Sequence, residues 1–274
     1  MSKIEVVDSI NRAAHNMRKQ IVEMTYNTGR TGAHIGGGLS LVEIMAVLYK
    51  GILKFNADDR EDETRDRLVF SKGHGALALY TAMWQAGILT DADLTTFKCD
   101  ESDISAHPSM NPELGIEFSS GSLGQGLSLG VGVGIALKRK NNNSSKVYVI
   151  LGDGECNEGS IWEAATYAAH LKLDNIVAII DNNRLQYDGA TDDILMMNPM
   201  EEKWKSFGWD CVTVDGHNIE MLYDELCKSH DKPLVVIANT TKGKGVSFME
   251  NNPLWHNGRL TDKQYEQAVA EVSA

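Results

Sequence analysis

Residues 149–183 read VILGDGECNEGSIWEAATYAAHLKLDNIVAIIDNN. An apolar run of strand length stops at Gly152-Asp153-Gly154, a helix-like segment follows, and a second apolar run stops at Asp181-Asn182-Asn183. Runs that are apolar throughout, rather than at alternate residues, mark strands covered on both faces of a parallel sheet. Strand, helix and strand in this order make one βαβ unit. Working outward, RLVFS (67–71), WDCVTVDG (209–216) and PLVVIANT (233–240) read as further strands. Helices are expected at 5–27, 41–53, 124–140 and 219–230, the last between the 209–216 and 233–240 strands. In the turn TGAHIGGGLS (31–40), Ser40 is placed to cap the helix beginning at Leu41. KGHGALALYTAMWQAG (72–87) reads as a loop entering a helix, and 86–122 as irregular. The 124–140 helix is rich in small residues, which suits close packing on another backbone. The expected class is α/β: one doubly wound, mostly parallel sheet with helices on both faces, forming a single domain over 1–274. Ligands of such sheets collect at the carboxyl ends of the strands, where both carboxylate-tipped motifs fall.

The chain has 274 residues, of which 42% are hydrophobic and 23% charged, with a formal net charge of −12. That balance repels nucleic acid and anionic membrane surfaces, and no basic block overrides it. No apolar run reaches the length of a membrane span, and the N-terminus lacks the apolar core of a secretory signal. The four cysteines (Cys99, Cys156, Cys211, Cys227) have neither metal-ligand spacing nor the density of a disulfide framework, so a reducing cytoplasm is expected.

At Gly152-Asp153-Gly154 the chain leaves a buried strand and soon enters a helix, so glycines allow a tight turn and close approach of a ligand. Backbone N–H groups at the start of a helix suit phosphate oxygens. A bare aspartate would repel those oxygens unless a divalent cation lay between them. Mg²⁺ takes oxygen ligands and is commonly held by few protein groups plus phosphates; Asn183, at the end of the next strand, supplies a neutral one. Taken singly, GDG is a turn and DNN a helix cap. The pair, with 27 residues between, is far more specific.

That pair resembles the thiamine diphosphate signature, and residues 10–260 resemble the transketolase N-terminal, diphosphate-binding domain. The supporting segments are GAHIGGGLS, SKGHGALALY, His107-Pro108, SSGSLGQGLSLGVG, GDGECNEG and Trp255-His256. The resemblance implies thiamine diphosphate with Mg²⁺ (or Ca²⁺ or Mn²⁺) as cofactors. It implies Asp153, Asn183 and the Leu185 carbonyl as metal ligands. His74, Gly121, Leu123, Gly154, Glu155, Asn183 and His256 fall on cofactor-contacting positions, and His34, His107 and His256 on histidines that act on sugar oxygens. Glu158 matches a glutamate linking paired sites near the subunit interface, although a carboxylate in a first helical turn is also favourable on its own account. His15, His170, His217 and His230 match no motif and read as surface or packed histidines; Cys156 reads as filler. The family's His-Pro-Gly is His34-Ile35-Gly36 here, its Gly-Pro-Leu-Gly is Gly121-Ser122-Leu123-Gly124, and WHNGRL replaces a His-Gly-x-Pro-Leu-like pattern.

The resemblance further implies two-carbon ketol transfer from a ketose or its phosphate to an aldose or its phosphate. Full-length members continue into a pyrimidine-binding and a C-terminal domain. EVSA, after the amphipathic LTDKQYEQAVAEV, reads as a natural end, so those domains are expected on a separate partner subunit, the two forming a heterotetramer. Alternatives are the α subunit of a 2-oxoacid dehydrogenase, a deoxyxylulose phosphate synthase, or a non-catalytic thiamine diphosphate-binding protein. A dinucleotide-binding oxidoreductase lacks its G-x-G-x-x-G after the first strand.

Overall fold

The computed structural model describes residues 2–57, 59 and 62–273; Met1 and Ala274, the ends of the expected domain, lie outside the described residues. In chain order the helices are α1 (Lys3–Asn27), α2 (Ile35–Leu39), α3 (Val42–Val47), α4 (Ala76–Gln85), α5 (Asp91–Thr95), α6 (Gly126–Arg139), α7 (Gly159–His170), α8 (Thr191–Leu195), α9 (Met200–Ser206), α10 (Ile219–Leu226) and α11 (Asp262–Ser273). The strands are β1 (Arg67–Phe70), β2 (Val147–Gly152), β3 (Ile176–Asn182), β4 (Asp210–Asp215) and β5 (Leu234–Asn239). They form one sheet in the order β1-β2-β3-β5-β4, parallel at every pairing.

Side-chain alternation sends Tyr148, Ile150, Val177, Ile179 and Val236 into a core shared with α1–α4, α10 and α11. Val147, Val149, Leu151, Ala178, Ile180 and Val235 face a second core against α6, α7 and α9. Both faces are therefore dry, which is why these strands are apolar throughout. The sheet runs outward from β1 to β3 and on to β4, then steps back to β5. The connection that reverses direction, through α10, is also the one that changes face, as a single crossover hand requires.

Sequence expectation and structure differ in places. The helix expected over 41–53 ends as α-helix at Val47 and closes through a π-helical turn, Leu48–Ile52. Ser40 caps nothing there: α3 has no side-chain cap, and the Ser40 hydroxyl instead donates to Asp181 Oδ2 at 2.6 Å. The stretch read as irregular carries α5, started by a Thr90/Asp93 capping box. The 219–230 helix stops at Leu226. The small-residue helix packs as expected: a Cβ on Gly130 would lie 2.6 Å from Val149 Cγ2, so only glycine lets α6 approach β2 this closely.

Candidate active site

The loops at the carboxyl ends of the strands enclose a cleft of about 350 Å³. β2 ends at Gly152 and β3 runs beside it in register, Gly152 opposite Asp181, so Asp153 and Asn183 leave adjacent strands on the same edge. Asp153 is buried, and its carboxylate accepts from Gly154 N at 2.7 Å and from Arg184 N at 2.5 Å. Arg184 adopts a left-handed conformation (φ 61°), the bend that turns the loop back and brings its N–H to Asp153. Burial, reinforced by the nearby Asp181 charge, pushes the Asp153 carboxyl up to about 6.

Asn183 is held at both ends of its amide: Nδ2 donates to Asp181 Oδ2 at 3.0 Å, and Oδ1 accepts from Leu185 N at 3.1 Å. The Leu185 carbonyl accepts from Lys242 Nζ at 3.0 Å. Among the described residues no cluster of three or more His, Cys, Asp or Glu forms a metal site. The expected set of one carboxylate, one amide oxygen and one carbonyl is of a different kind, and all three line the same cleft. A buried carboxylate pushed upward for want of a close counter-charge, beside neutral oxygens, fits a hard divalent cation.

Four histidines from four distant segments converge here. His34 precedes α2, His74 lies in the turn into α4, His107 sits on the irregular 97–122 segment, and His256 follows the Pro253–Trp255 turn. The His34 ring centroid lies 5.8 Å from His74, 5.4 Å from His107 and 5.4 Å from His256, while His74 and His256 stack at 5.2 Å. Two closures hold the first and last segments together. Ala33 and Gly258 exchange N–H···O bonds at 2.9 and 3.0 Å, and Gly243 N donates to Gly36 O at 3.0 Å. A Cβ on Gly36 would stand 2.6 Å from the Trp255 carbonyl oxygen, so the contact needs glycine.

Burial and neighbouring cations hold these imidazoles neutral. His34 falls to about 4, through burial first and then His107, Lys98 and Lys242; His256 falls to about 3, through burial, Lys242 and His34. His74 is held well below 6.5 and His107 below it, burial dominating in both. Lys242 Nζ lies 2.9 Å from His256 Nδ1. An ammonium only donates, so Nδ1 accepts and the proton of His256 sits on Nε2. Because the folded-state pKa values are depressed, the unfolded chain takes up protons first as the pH falls. These groups then oppose folding increasingly between about pH 6.5 and pH 4 and not above that window. The melting temperature is expected to drop over that interval, and to drop several degrees less in His34→Asn/His256→Asn. Thermal unfolding from pH 7.5 to 4.5 checks this; equal pH slopes would contradict it.

Other expected residues divide. Gly121, Leu123, Gly154 and Glu158 line the cleft, with Glu158 exposed at the start of α7. Glu155 also lines it, but its carboxylate is occupied within the protein: it takes the Ser71 hydroxyl, Gly124 N at 2.8 Å and Gly152 N at 2.9 Å, bracing β1, β2 and the approach to α6. His217 is a structural histidine, bonded to Glu43 Oε2 at 2.8 Å and accepting from Thr241 N at 2.8 Å. Cys156 is buried in the second core, where burial raises its thiol far beyond reactivity.

Sequence reading missed four groups. Lys72 and Lys242 are both buried, Lys72 paired with Asp181 and Lys242 lowered to about 8 by burial and the neighbouring Lys72 charge. Gln186 and Tyr187 complete the wall, Tyr187 edge-on to His256 at 5.1 Å. The signal for the lysines was their setting: each stands at a strand end among glycines, in SKGHG and TTKGKG.

Among the described residues no helix is long and apolar enough to cross a membrane. An apulose-4-phosphate transketolase subunit from Phocaeicola vulgatus is 40% identical over 270 residues, spanning 97% of this chain and 95% of that protein. The 6-deoxy-6-sulfo-D-fructose transketolase subunit SqwG of a Clostridium species is 38% identical over 267 residues, 96% of each. Human transketolase is 35% identical over 269 residues, 97% of this chain but 42% of that protein. Of solved structures, the transketolase of Leishmania mexicana superposes with a TM-score of 0.88 at 28% identity, covering 96% of this chain and 41% of that one. The chain thus spans about two fifths of such full-length transketolases and nearly the whole of the separate subunits. Residues 11–272 match the family described as transketolase, thiamine diphosphate binding domain, and the chain belongs to that family.

Proposed function

We propose that this chain is the N-terminal subunit of a split transketolase, moving a two-carbon ketol unit from a ketose or its phosphate to an aldose or its phosphate. In this reading the whole chain is one diphosphate-binding domain, works in the cytoplasm, and pairs with a C-terminal subunit carrying the pyrimidine-binding domain, two copies of each making a heterotetramer. The observation that carries it is the convergence of four neutral histidines over an oxygen-only cation site. A protein that merely bound the cofactor would not need His34 and His107 away from that site. The near-complete match to separate transketolase subunits supports the division into two chains.

The residues present fit thiamine diphosphate and Mg²⁺. Asp153, Asn183 and the Leu185 carbonyl would hold the cation, His74, Gly154 and Lys242 would face the diphosphate, and the Gly121–Leu123 turn would lie against the rings. When bound, the cofactor supplies the nucleophilic carbon on which ketol transfer depends. The chain's own part is to orient and to handle protons. His256, with its proton fixed on Nε2 by Lys242, donates to a sugar oxygen, while His34 and His107, neutral at pH 7, accept or return a hydroxyl proton.

The test is deuterium exchange at C2 of thiamine diphosphate, measured with the lone chain and with the assembled pair. Activation of that carbon needs a carboxylate against the pyrimidine ring, which the partner is expected to provide. The lone chain is expected to leave exchange near its rate in free solution, and the pair to accelerate it strongly. Equal acceleration by the lone chain would overturn the split-enzyme reading.

A further inference from the structure

We infer that Asp181 is a positioning residue of the cation site: its carboxylate sets the orientation of the Asn183 amide and ties together the chain segments that build the cleft. The inference rests on the cation-site reading above and extends it to a group that does not itself face the cation.

Asp181 continues the alternation of Val177 and Ile179, so its side chain points into the face covered by α1–α4, beneath the cleft. It is fully buried. Four donors converge on it. Oδ2 accepts from Lys72 Nζ, from Ser40 Oγ at 2.6 Å and from Asn183 Nδ2 at 3.0 Å, and Oδ1 accepts from the Thr240 hydroxyl. Burial alone would raise its carboxyl, but the Lys72 charge and these hydrogen bonds outweigh it and hold the group ionised.

Each donor belongs to a segment that carries a cleft residue. Lys72 precedes His74, Ser40 lies on the turn after His34, Thr240 precedes Lys242, and Asn183 is itself the expected ligand. An amide can be flipped with little steric change, and a flipped Asn183 would turn its NH₂ group toward the cation. Asp181 forbids this. With Nδ2 anchored on a carboxylate, Oδ1 is the atom left to face the cleft, and the bond from Leu185 N fixes it from the other side. Outer partners that orient metal ligands in this way are typically worth about 10–100-fold in metal affinity.

Removing Asp181 alone would leave Lys72 as an unpaired buried charge, so the test replaces the pair. Two variants share the same charge and differ only in whether an acceptor remains: Lys72→Met/Asp181→Asn keeps an amide oxygen for Asn183 Nδ2, and Lys72→Met/Asp181→Leu does not. Exchanging a buried ion pair for apolar side chains commonly leaves a fold intact. Mn²⁺ binding in the presence of thiamine diphosphate is followed by electron paramagnetic resonance on the chain assembled with its partner, and folding by circular dichroism. The leucine variant is expected to bind Mn²⁺ about 10–100-fold more weakly than the asparagine variant. If leucine is not accommodated, Lys72→Met/Asp181→Ser, too short to reach Asn183, makes the same comparison. Equal Mn²⁺ affinity in the folded variants would overturn the inference while leaving the cation site standing. A wild-type assembly that took up no Mn²⁺ would overturn the site reading itself, and this inference with it.

Discussion

Asp153→Ala is expected to abolish cation-dependent binding of thiamine diphosphate, a loss greater than the about 10–100-fold that follows removal of an outer partner of a metal ligand. Asp153 is the only carboxylate of the expected ligand set, so its removal takes away the set's whole formal charge. Calorimetric titration of the assembled enzyme with Mg²⁺ and thiamine diphosphate measures the effect; unchanged affinity would remove the cation from this position. A companion substitution separates loss of a ligand from loss of structure. In the cation-free chain burial raises Asp153 from 3.8 to about 6, so its ionisation at neutral pH opposes folding by an amount on the order of 3 kcal/mol. Below about pH 4 the carboxyl is protonated in folded and unfolded chains alike and the penalty vanishes; it grows as the pH rises toward 6 and is complete above. Asp153→Asn keeps an acceptor for only one of the two N–H groups, since Gly154 N bonds Oδ1 and Arg184 N bonds Oδ2. The melting temperature of the cation-free variant should therefore lose the fall between about pH 4 and pH 6 that ionisation of Asp153 produces, while cation uptake is still weakened.

His107→Ala is expected to lower kcat/KM by about 10²–10⁴-fold, the range of a lost acid–base group, with the affinity for thiamine diphosphate unchanged. The separation follows from where His107 stands. Its ring packs edge-on to His34 at 5.4 Å, on a segment independent of β2 and β3, which lead into the proposed cation ligands. Its backbone is fixed from below: the Tyr80 hydroxyl donates to the Ser105 carbonyl at 3.0 Å, and the Ser105 hydroxyl donates to the His107 carbonyl at 2.6 Å. Replacing the ring therefore leaves the loop in place. A parallel fall in cofactor affinity would mark His107 as structural.

The sheet was legible in the sequence because burial on both faces leaves a plain trace, an unbroken apolar run. β2, β3 and β5 follow that trace, whereas edge strand β4 keeps polar, exposed residues among its apolar ones, and the close fit of α6 on β2 follows from its glycines. Boundaries set by tertiary demand were not legible. Ser40 has the chemistry of a helix cap, but a buried carboxylate on another strand is a stronger partner than the start of a short helix. Asp181 itself ends an apolar run, which marks it as unusual without saying that four segments meet there. The histidines could be chosen by their glycine- and proline-bounded turns, and the structure brings those four together while leaving His217 in a separate network with Glu43. The paired lysines were missed because a lysine amid glycines reads as a solvated turn, and only the packing shows Lys72 and Lys242 to be buried. Glu155 sits in a binding motif, yet its carboxylate is turned inward; sequence position locates a backbone more surely than it aims a side chain.

The pairing of residues 33–36 with residues 243–258 has a consequence for the order of events during synthesis. A polypeptide leaves the ribosome from its N-terminus at about 5–20 residues per second, so the segment carrying His34 waits roughly 10–45 s for the segment carrying His256. Until then the Gly36 surface lacks the Trp255 carbonyl that lies against it, and the fourth wall of the cleft is missing. A ligand stabilises only a state that already binds it, so a cofactor whose site includes His256 cannot hold that site together before the segment has emerged. All five strands precede it, and the cleft closes only once it arrives.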